Sequence, residues 1–107
     1  MGSAVEHTEV FAALADPTRR QVLDLLAARG EASATVIARH MPVSRPAVIK
    51  HLGVLDRAGL VQARRQGRKV LFTVRPEPLD SAARWLTKAA SDWDRRLAAL
   101  KRLAESG

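Results

Sequence analysis

Eight cations and a single carboxylate lie between Ser44 and Arg75. They are Arg45, Lys50, Arg57, Arg64, Arg65, Arg68, Lys69 and Arg75, against Asp56. The 107-residue chain has a formal charge of +7, and this segment carries all of it, because ten basic and ten acidic residues elsewhere cancel. A general excess of basic residues serves solubility. An excess confined to under a third of the chain marks a surface that binds a polyanion, with phosphate the expected target.

Other chemistries find little support. There is no cysteine, which removes disulfides, thiolate metal sites and a cysteine nucleophile. No glycine-rich phosphate loop, H-E-x-x-H or G-x-S-x-G occurs. Asp92 and Asp94 stand two apart on a helix, so they point about 160° away from each other and cannot share a substrate. His7, His40 and His51 make no zinc-like pair at helical spacing. No enzyme activity, metal or cofactor is expected. His51, next to Lys50, is read as packing its helix or touching phosphate.

The cations need a platform, and Val43–Val61 supplies it. Ser44 is suited to cap a helix, and Pro46 falls in the first turn, where its missing N–H costs no intrahelical bond. Val48, Leu52 and Leu55 recur at spacings of four and three and face a core. Pro46, Lys50, Gly53 and Arg57 gather within about 40° of the opposite side. Gly59 is placed to end the helix.

Upstream, Val5–Ala15 reads as a short amphipathic helix with Val10, Phe11 and Leu14. Asp16-Pro17 interrupts it and starts a second helix, Thr18–Arg29, closed by Gly30. Arg19 and Arg20 sit in its first turn, where the helix dipole disfavours cations; a neighbouring acid or a bound phosphate would compensate. A third helix, Ala34–His40, follows, and Met41-Pro42-Val43 joins it to the basic helix. Two short helices with a three-residue joint, the second basic, form a helix-turn-helix pattern.

Downstream, Leu60–Arg65 and Arg68–Val74 read as strands around the turn Gln66-Gly67. The hairpin tip gathers Arg64, Arg65, Arg68 and Lys69 and forms a wing whose charges are expected to have no acid beside them. Arg75-Pro76-Glu77-Pro78 stops the strand. Leu79, Ala83, Leu86, Ala90, Trp93, Leu97, Leu100 and Ala104 then recur at alternating spacings of four and three, a heptad seam. Such a seam serves either an intramolecular core or self-association. The helix is too long for the preceding 75 residues to cover, which favours self-association, with Phe11 and Leu14 as further contacts. Trp93 would fill that interface. Trp85, just off the seam, is expected to pack on the first helix rather than line a ligand pocket.

The segments Ala13–Arg20 (A-L-A-D-P-T-R-R), Ser44–Val61 (S-R-P-A-V-I-K-H-L-G-V-L-D-R-A-G-L-V) and Arg64–Phe72 (R-R-Q-G-R-K-V-L-F) together resemble the ArsR (arsenic-repressor) family of bacterial winged-helix regulators. The likeness runs from Val10 to Val74. The pattern R-W-L-x(6)-W-D-x-R-L-x-x-L over Arg84–Leu100 is similar to the dimerising last helix of its metal-free subgroup. The resemblance implies a homodimer whose recognition helices enter successive major grooves of an imperfect palindrome in double-stranded DNA. It assigns base reading to Arg45, Pro46, Ala47, Ile49 and Lys50, and backbone or minor-groove contact to Arg64, Arg65, Arg68 and Lys69. Founding members carry E-L-C-V-C-D-L; here the segment is E-A-S-A-T-V-I, with Ser33 and Thr35 at the cysteine positions. Arsenic or zinc sensing is therefore not carried over.

The expected fold is mainly α with a small β-hairpin (α+β): a winged helix-turn-helix of five helices and a two-stranded wing, dimerising through its terminal helices. Residues 1–107 form one domain, with the DNA-reading part at 33–75 and dimerisation helices at 5–15 and 79–105. The expected DNA-binding set is Ser44, Arg45, Pro46, Ala47, Ile49, Lys50, His51, Arg57, Arg64, Arg65, Arg68 and Lys69. The expected dimer interface is Phe11, Leu14, Leu79, Ala83, Leu86, Ala90, Trp93, Leu97 and Leu100. No apolar run approaches the ~20 residues that span a bilayer, so the chain is expected in the bacterial cytosol, at the nucleoid, as a sequence-specific regulator and repressor. A non-specific chromosome binder and a protein–protein module on the same scaffold are the alternatives. No small-molecule effector can be named from the residues.

Overall fold

The computed structural model describes residues 4–106. Its order is α1 (Ala4–Leu14), α2 (Pro17–Arg29), α3 (Ala34–Arg39), α4 (Arg45–Arg57), β1 (Val61–Gln66), β2 (Lys69–Val74) and α5 (Glu77–Ser106). The starts of α2, α3 and α4 each have a local cause. Asp16 caps α2 by accepting from the Thr18 amide at 2.7 Å, and Pro17 occupies the first turn. Ser33 caps α3 through the Val36 amide, and Ser44 caps α4 through the Ala47 amide, both at 3.2 Å.

The end of α4 aims the wing. Gly59 takes φ +76°, a left-handed conformation that costs a glycine little. Its N–H donates to Asp56 O at 2.9 Å and the Leu60 N–H to Leu55 O at 2.9 Å, which is a Schellman motif. Leu55 and Leu60 are both fully buried, so the helix stop and the core are built from the same residues. Gly67, at φ +62°, turns the hairpin. The strands pair antiparallel from Val61↔Val74 to Gln66↔Lys69.

The core gathers around Val22, Leu26, Ile37, Val48, Leu52, Leu55 and Leu60, all at 1% exposure or less. The linker between α2 and α3 docks on β2, where Ala32 exchanges both backbone hydrogen bonds with Phe72. Period-two reading could not find this one-residue bridge. Arg19 and Arg20 resolve differently from either expected compensation alone. Arg19 does meet an acid, Asp16, at 3.3 Å, but it also donates to Ala13 O (2.7 Å) and Ala12 O (3.0 Å). Arg20 donates to Leu14 O at 2.6 Å. The two arginines thus serve the last carbonyls of α1, where cations are favoured by that helix's own dipole.

Pro78 does not keep α5 from starting at Glu77, because a proline in the first turn breaks no intrahelical bond. At 30 residues α5 is about 45 Å long, and only Ala82 along it is buried. The molecule measures 69 × 29 × 22 Å with a radius of gyration of 18.7 Å, against about 13 Å for a compact domain of this size. The excess is α5 reaching beyond the body.

Candidate nucleic-acid interface

The front of α4 is solvated while its back is closed. Arg45, Pro46, Ile49, Lys50 and Arg57 are exposed, and Ala47 is half-buried. Ser44 spends its hydroxyl on the cap and leaves its backbone at the helix entrance. Arg45 donates from Nε to Thr35 Oγ1 at 3.1 Å, so α3 steadies the first cation of α4. A Cβ at Gly53 would meet Arg57 Nη1 at 3.7 Å, an ordinary contact, which shows that Arg57 folds back along the helix over this position. Ile49 holds a large apolar side chain at 47% exposure among cations, suited to a thymine methyl.

The wing carries Arg64, Arg65, Arg68 and Lys69, all exposed. The register puts Arg64 and Lys69 on one face and Arg65 on the other, so the ridge is positive on both sides. One expectation fails here. Arg64 is not free of acids: its Nη2 donates to Glu31 Oε2 at 2.7 Å. Glu31 lies 33 residues earlier and is carried to the wing by the Ala32–Phe72 bridge.

Between α3, α4 and the wing runs a cleft of about 500 Å³. Arg39, Arg45, Arg68 and Lys69 line it with Thr35, Ile49, Val70 and Phe72, and no carboxylate takes part. A phosphodiester strand passing from a groove read by α4 to a groove met by the wing would lie along it. Arg39 and Thr35 were missing from the sequence-derived set; their spacing of four on α3 was the available signal.

Of the two roles read for it, packing its helix and touching phosphate, His51 takes the first. It does not join the cationic front: its ring turns inward, its side chain is 19% exposed, and Nδ1 stands 4.0 Å from Asp16 Oδ2. The next residue after Lys50 lies about 100° further round the helix, which carries it off the front. Asp16 is held below its ordinary value of 3.8, first by the Thr18 amide; burial opposes this, and Arg19 and His51 beside it add smaller lowering effects.

Ser33 and Thr35 have their hydroxyls engaged, one capping α3 and the other holding Arg45. Among the described residues no three histidine, cysteine, aspartate or glutamate side chains gather as a metal site.

Away from this front, α5 carries an exposed apolar stripe. Trp85 packs on α1 as the sequence indicates, its ring 6.1 Å from His7 and 5.9 Å from Phe11. Phe11 and Leu14 are half-buried by contacts within the chain, and Leu79 packs on the same core. Ala83 and Ala90 are exposed, and Leu86, Trp93, Leu97 and Leu100 stand between 47% and 64% exposed. The structure therefore splits the expected seam: its first residue serves the chain's own core and the rest is uncovered.

Fold and site together define a winged helix-turn-helix protein of the DNA-binding class. A helix-turn-helix domain family matches residues 14–62. The transcriptional repressor SdpR of Bacillus subtilis is 33% identical over 88 residues, covering 82% of this chain and 97% of that protein. An ArsR-like transcriptional regulator from Rhodococcus sp. RHA1 superposes with a TM-score of 0.89 at 42% identity, over 97% of this chain and 94% of the other. The homodimeric winged helix-turn-helix DNA-binding domain Mb0332 of Mycobacterium bovis, a possible ArsR-family regulator, gives 0.64 at 33% identity, over 81% and 79%. The chain belongs to the ArsR family of winged helix-turn-helix transcriptional regulators.

Proposed function

We propose that the chain is a homodimeric, sequence-specific repressor that occupies an imperfect DNA palindrome at a promoter. The observation that carries this reading is the separation of two surfaces: a cationic front on α4, α3 and the wing, and an uncovered apolar stripe on α5. A twofold axis through the α5 stripes leaves both fronts free to face one side of a duplex, with half-sites one helical turn or ~34 Å apart. The homodimeric relative and the repressor SdpR support the assembly and the direction of regulation.

Arg45 and Lys50 act as the hydrogen-bonding readers, with Pro46, Ala47 and Ile49 supplying apolar contact to base edges. Ser44 orients the entrance of the helix. Arg57, Arg64, Arg65, Arg68 and Lys69, joined by Arg39, meet phosphate. About four phosphates per protomer would give a slope of log K against log salt near −7 for the dimer. Leu86, Ala90, Trp93, Leu97 and Leu100 form the centre of the interface, with Ala83, Leu79, Phe11 and Leu14 towards its edge. Residues 33–75 form the reading part and the helices within 5–15 and 79–105 the dimerising part. Among the described residues no helix is long and apolar enough to cross a membrane, in keeping with a place in the cytosol at the nucleoid.

Selection of bound duplexes from a random library, with the upstream region of its own coding sequence as competitor, tests the function. An enriched pair of inverted half-sites is expected. Equal affinity for scrambled duplexes would select a non-specific binder. No DNA binding at low salt by an intact dimer would select a protein–protein module.

A further inference from the structure

We propose that His51, acting through Asp16, is a positioning residue that sets how α4 presents its readers and ties that presentation to the end of α1. The inference rests on α4 being the base-reading helix.

The geometry has three links. His51 follows Lys50, and its Nδ1 is buried, 4.0 Å from Asp16 Oδ2, with no hydrogen-bond partner. A buried ring nitrogen without a partner is costly. The nearby carboxylate becomes a direct partner after a shift of about 1 Å, given usual N–H···O lengths of about 3 Å. Second, the Asp16 carboxylate is fixed from the other side. One oxygen accepts the Thr18 amide at 2.7 Å, and the other accepts Arg19 Nη1 at 3.3 Å. It cannot swing with His51; His51 must come to it. Third, Arg19 passes the tie onward through its donations to Ala12 O and Ala13 O at the end of α1. Asp16 is therefore shared by the reading helix, the cap of α2 and the last turn of α1.

Val48, Leu52 and Leu55 restrain α4 along one stripe, and the approach of His51 to the fixed Asp16 carboxylate adds a restraint on roll from a second side. A roll of 10° at the radius of a lysine head group moves that group by over 1 Å, since such a head group stands ~8 Å from an axis whose helix is ~10–12 Å across. Base reading depends on placement within about 0.5 Å and 10–20°. The charged groups that face the ring are Asp16 and, behind it, Arg19.

The test compares His51→Leu, which keeps bulk and removes the donor, with His51→Asn, whose Nδ2 can stand near the lost Nδ1. Asp16→Ser retains a capping oxygen for Thr18 and removes the one that faces His51. Each is measured for affinity to the selected palindrome, affinity to a scrambled duplex, and amide exchange along α4 in the free protein. His51→Leu is expected to lower the specific-to-scrambled ratio about fivefold with scrambled binding unchanged, and to speed exchange in the first two turns of α4. Asp16→Ser should do the same, the double variant should be no worse than either single one, as coupled neighbours behave, and His51→Asn should recover most of the ratio. Equal losses on both duplexes, unchanged exchange in α4, or additive effects of the two substitutions would overturn the proposal. If His51→Leu does not fold, Asp16→Ser and His51→Asn give the same two readouts. A wild-type protein with no preference for any duplex would defeat the reading of α4, while the exchange measurement would still decide whether His51 and Asp16 hold the helix.

Discussion

α4 and α5 are both amphipathic helices, yet only one has its apolar side covered by its own chain. The inward residues of α4, Val48, Leu52 and Leu55, are at 0–1% exposure. On α5, more than twice as long, Leu86, Trp93, Leu97, Leu100 and Leu103 are 47–69% exposed. The difference separates two uses of the same pattern. α4 is a platform: its apolar stripe exists to hold a charged front still. α5 is unfinished: its stripe is continuous and contains the large side chains that carry interface energy. Leaving so much apolar surface open disfavours a stable monomer in water. The position of Trp85 sharpens the contrast. It lies one residue from the stripe and is spent on α1, so α1 holds the root of α5 while its outer two thirds stay free.

The strongest way to break this comparison is to charge the free stripe. Leu97→Glu combined with Leu100→Glu should leave helix content and the body's fold unchanged, because these side chains have little cover in the chain. The protein should sediment as a monomer at micromolar concentration where the parent is a dimer. Affinity for a palindrome should fall on the order of a thousandfold, the usual advantage of binding two linked half-sites at once. A parent that is already a monomer would end the account of α5. On the α4 side, the wing double variant Arg68→Ala with Lys69→Ala comes next. It should weaken all duplexes alike, on the order of a hundredfold at moderate salt, and flatten the salt slope by about four in the dimer, one for each lost cation. Lys50→Ala differs in kind. It should cost about 2 kcal/mol on the preferred sequence and much less on scrambled DNA, relaxing base choice where Lys50 reads. Unchanged specific binding would remove Lys50 from the readers.

Much of the platform was legible because its information is local. Ser44, Pro46, the Val48–Leu52–Leu55 spacing and Gly59 mark α4 within two residues at each end, and Gln66-Gly67 marks the hairpin within one. Heptad spacing likewise found the stripe of α5. What escaped was pairing between distant segments. Period and propensity say which face of an element is polar; they carry nothing about which polar group another element will bring to it. Glu31 reaches Arg64 only because Ala32 bridges to Phe72, and Asp16 reaches His51 only because α2 packs on α4. The first-turn cations Arg19 and Arg20 were legible only in part for the same reason: the acid expected beside them, Asp16, meets Arg19, but their carbonyl partners on another helix were not visible. They look unfavourable on α2 alone, yet they complete the end of α1. At the site, the residue types named the chemistry, but Arg39 and Thr35 required the cleft to be seen.

The smallest expected effect is the most discriminating, because its sign is opposite to the others. Arg64 and Glu31 meet at 2.7 Å with side chains 52% and 43% exposed, so the pair contributes about 0.2–1 kcal/mol at most to folding. Its meaning lies in the wing. A carboxylate there holds one of the four wing cations and adds negative charge beside the path expected for a phosphate strand. Glu31→Gln keeps the size and the backbone bridge at Ala32 while removing that charge. Stability should change by no more than about 0.5 kcal/mol. DNA affinity should rise about threefold for every duplex, and the salt slope should steepen by up to one per protomer as Arg64 no longer shares its charge between Glu31 and phosphate. A fall in affinity would mean that Glu31 instead holds Arg64 in a productive orientation, which would show first as a loss on the preferred sequence only. The two outcomes differ in sign and in sequence dependence. One titration series at several salt concentrations therefore decides whether the wing is a loose cationic ridge or, like α4, a surface held in place by its own chain.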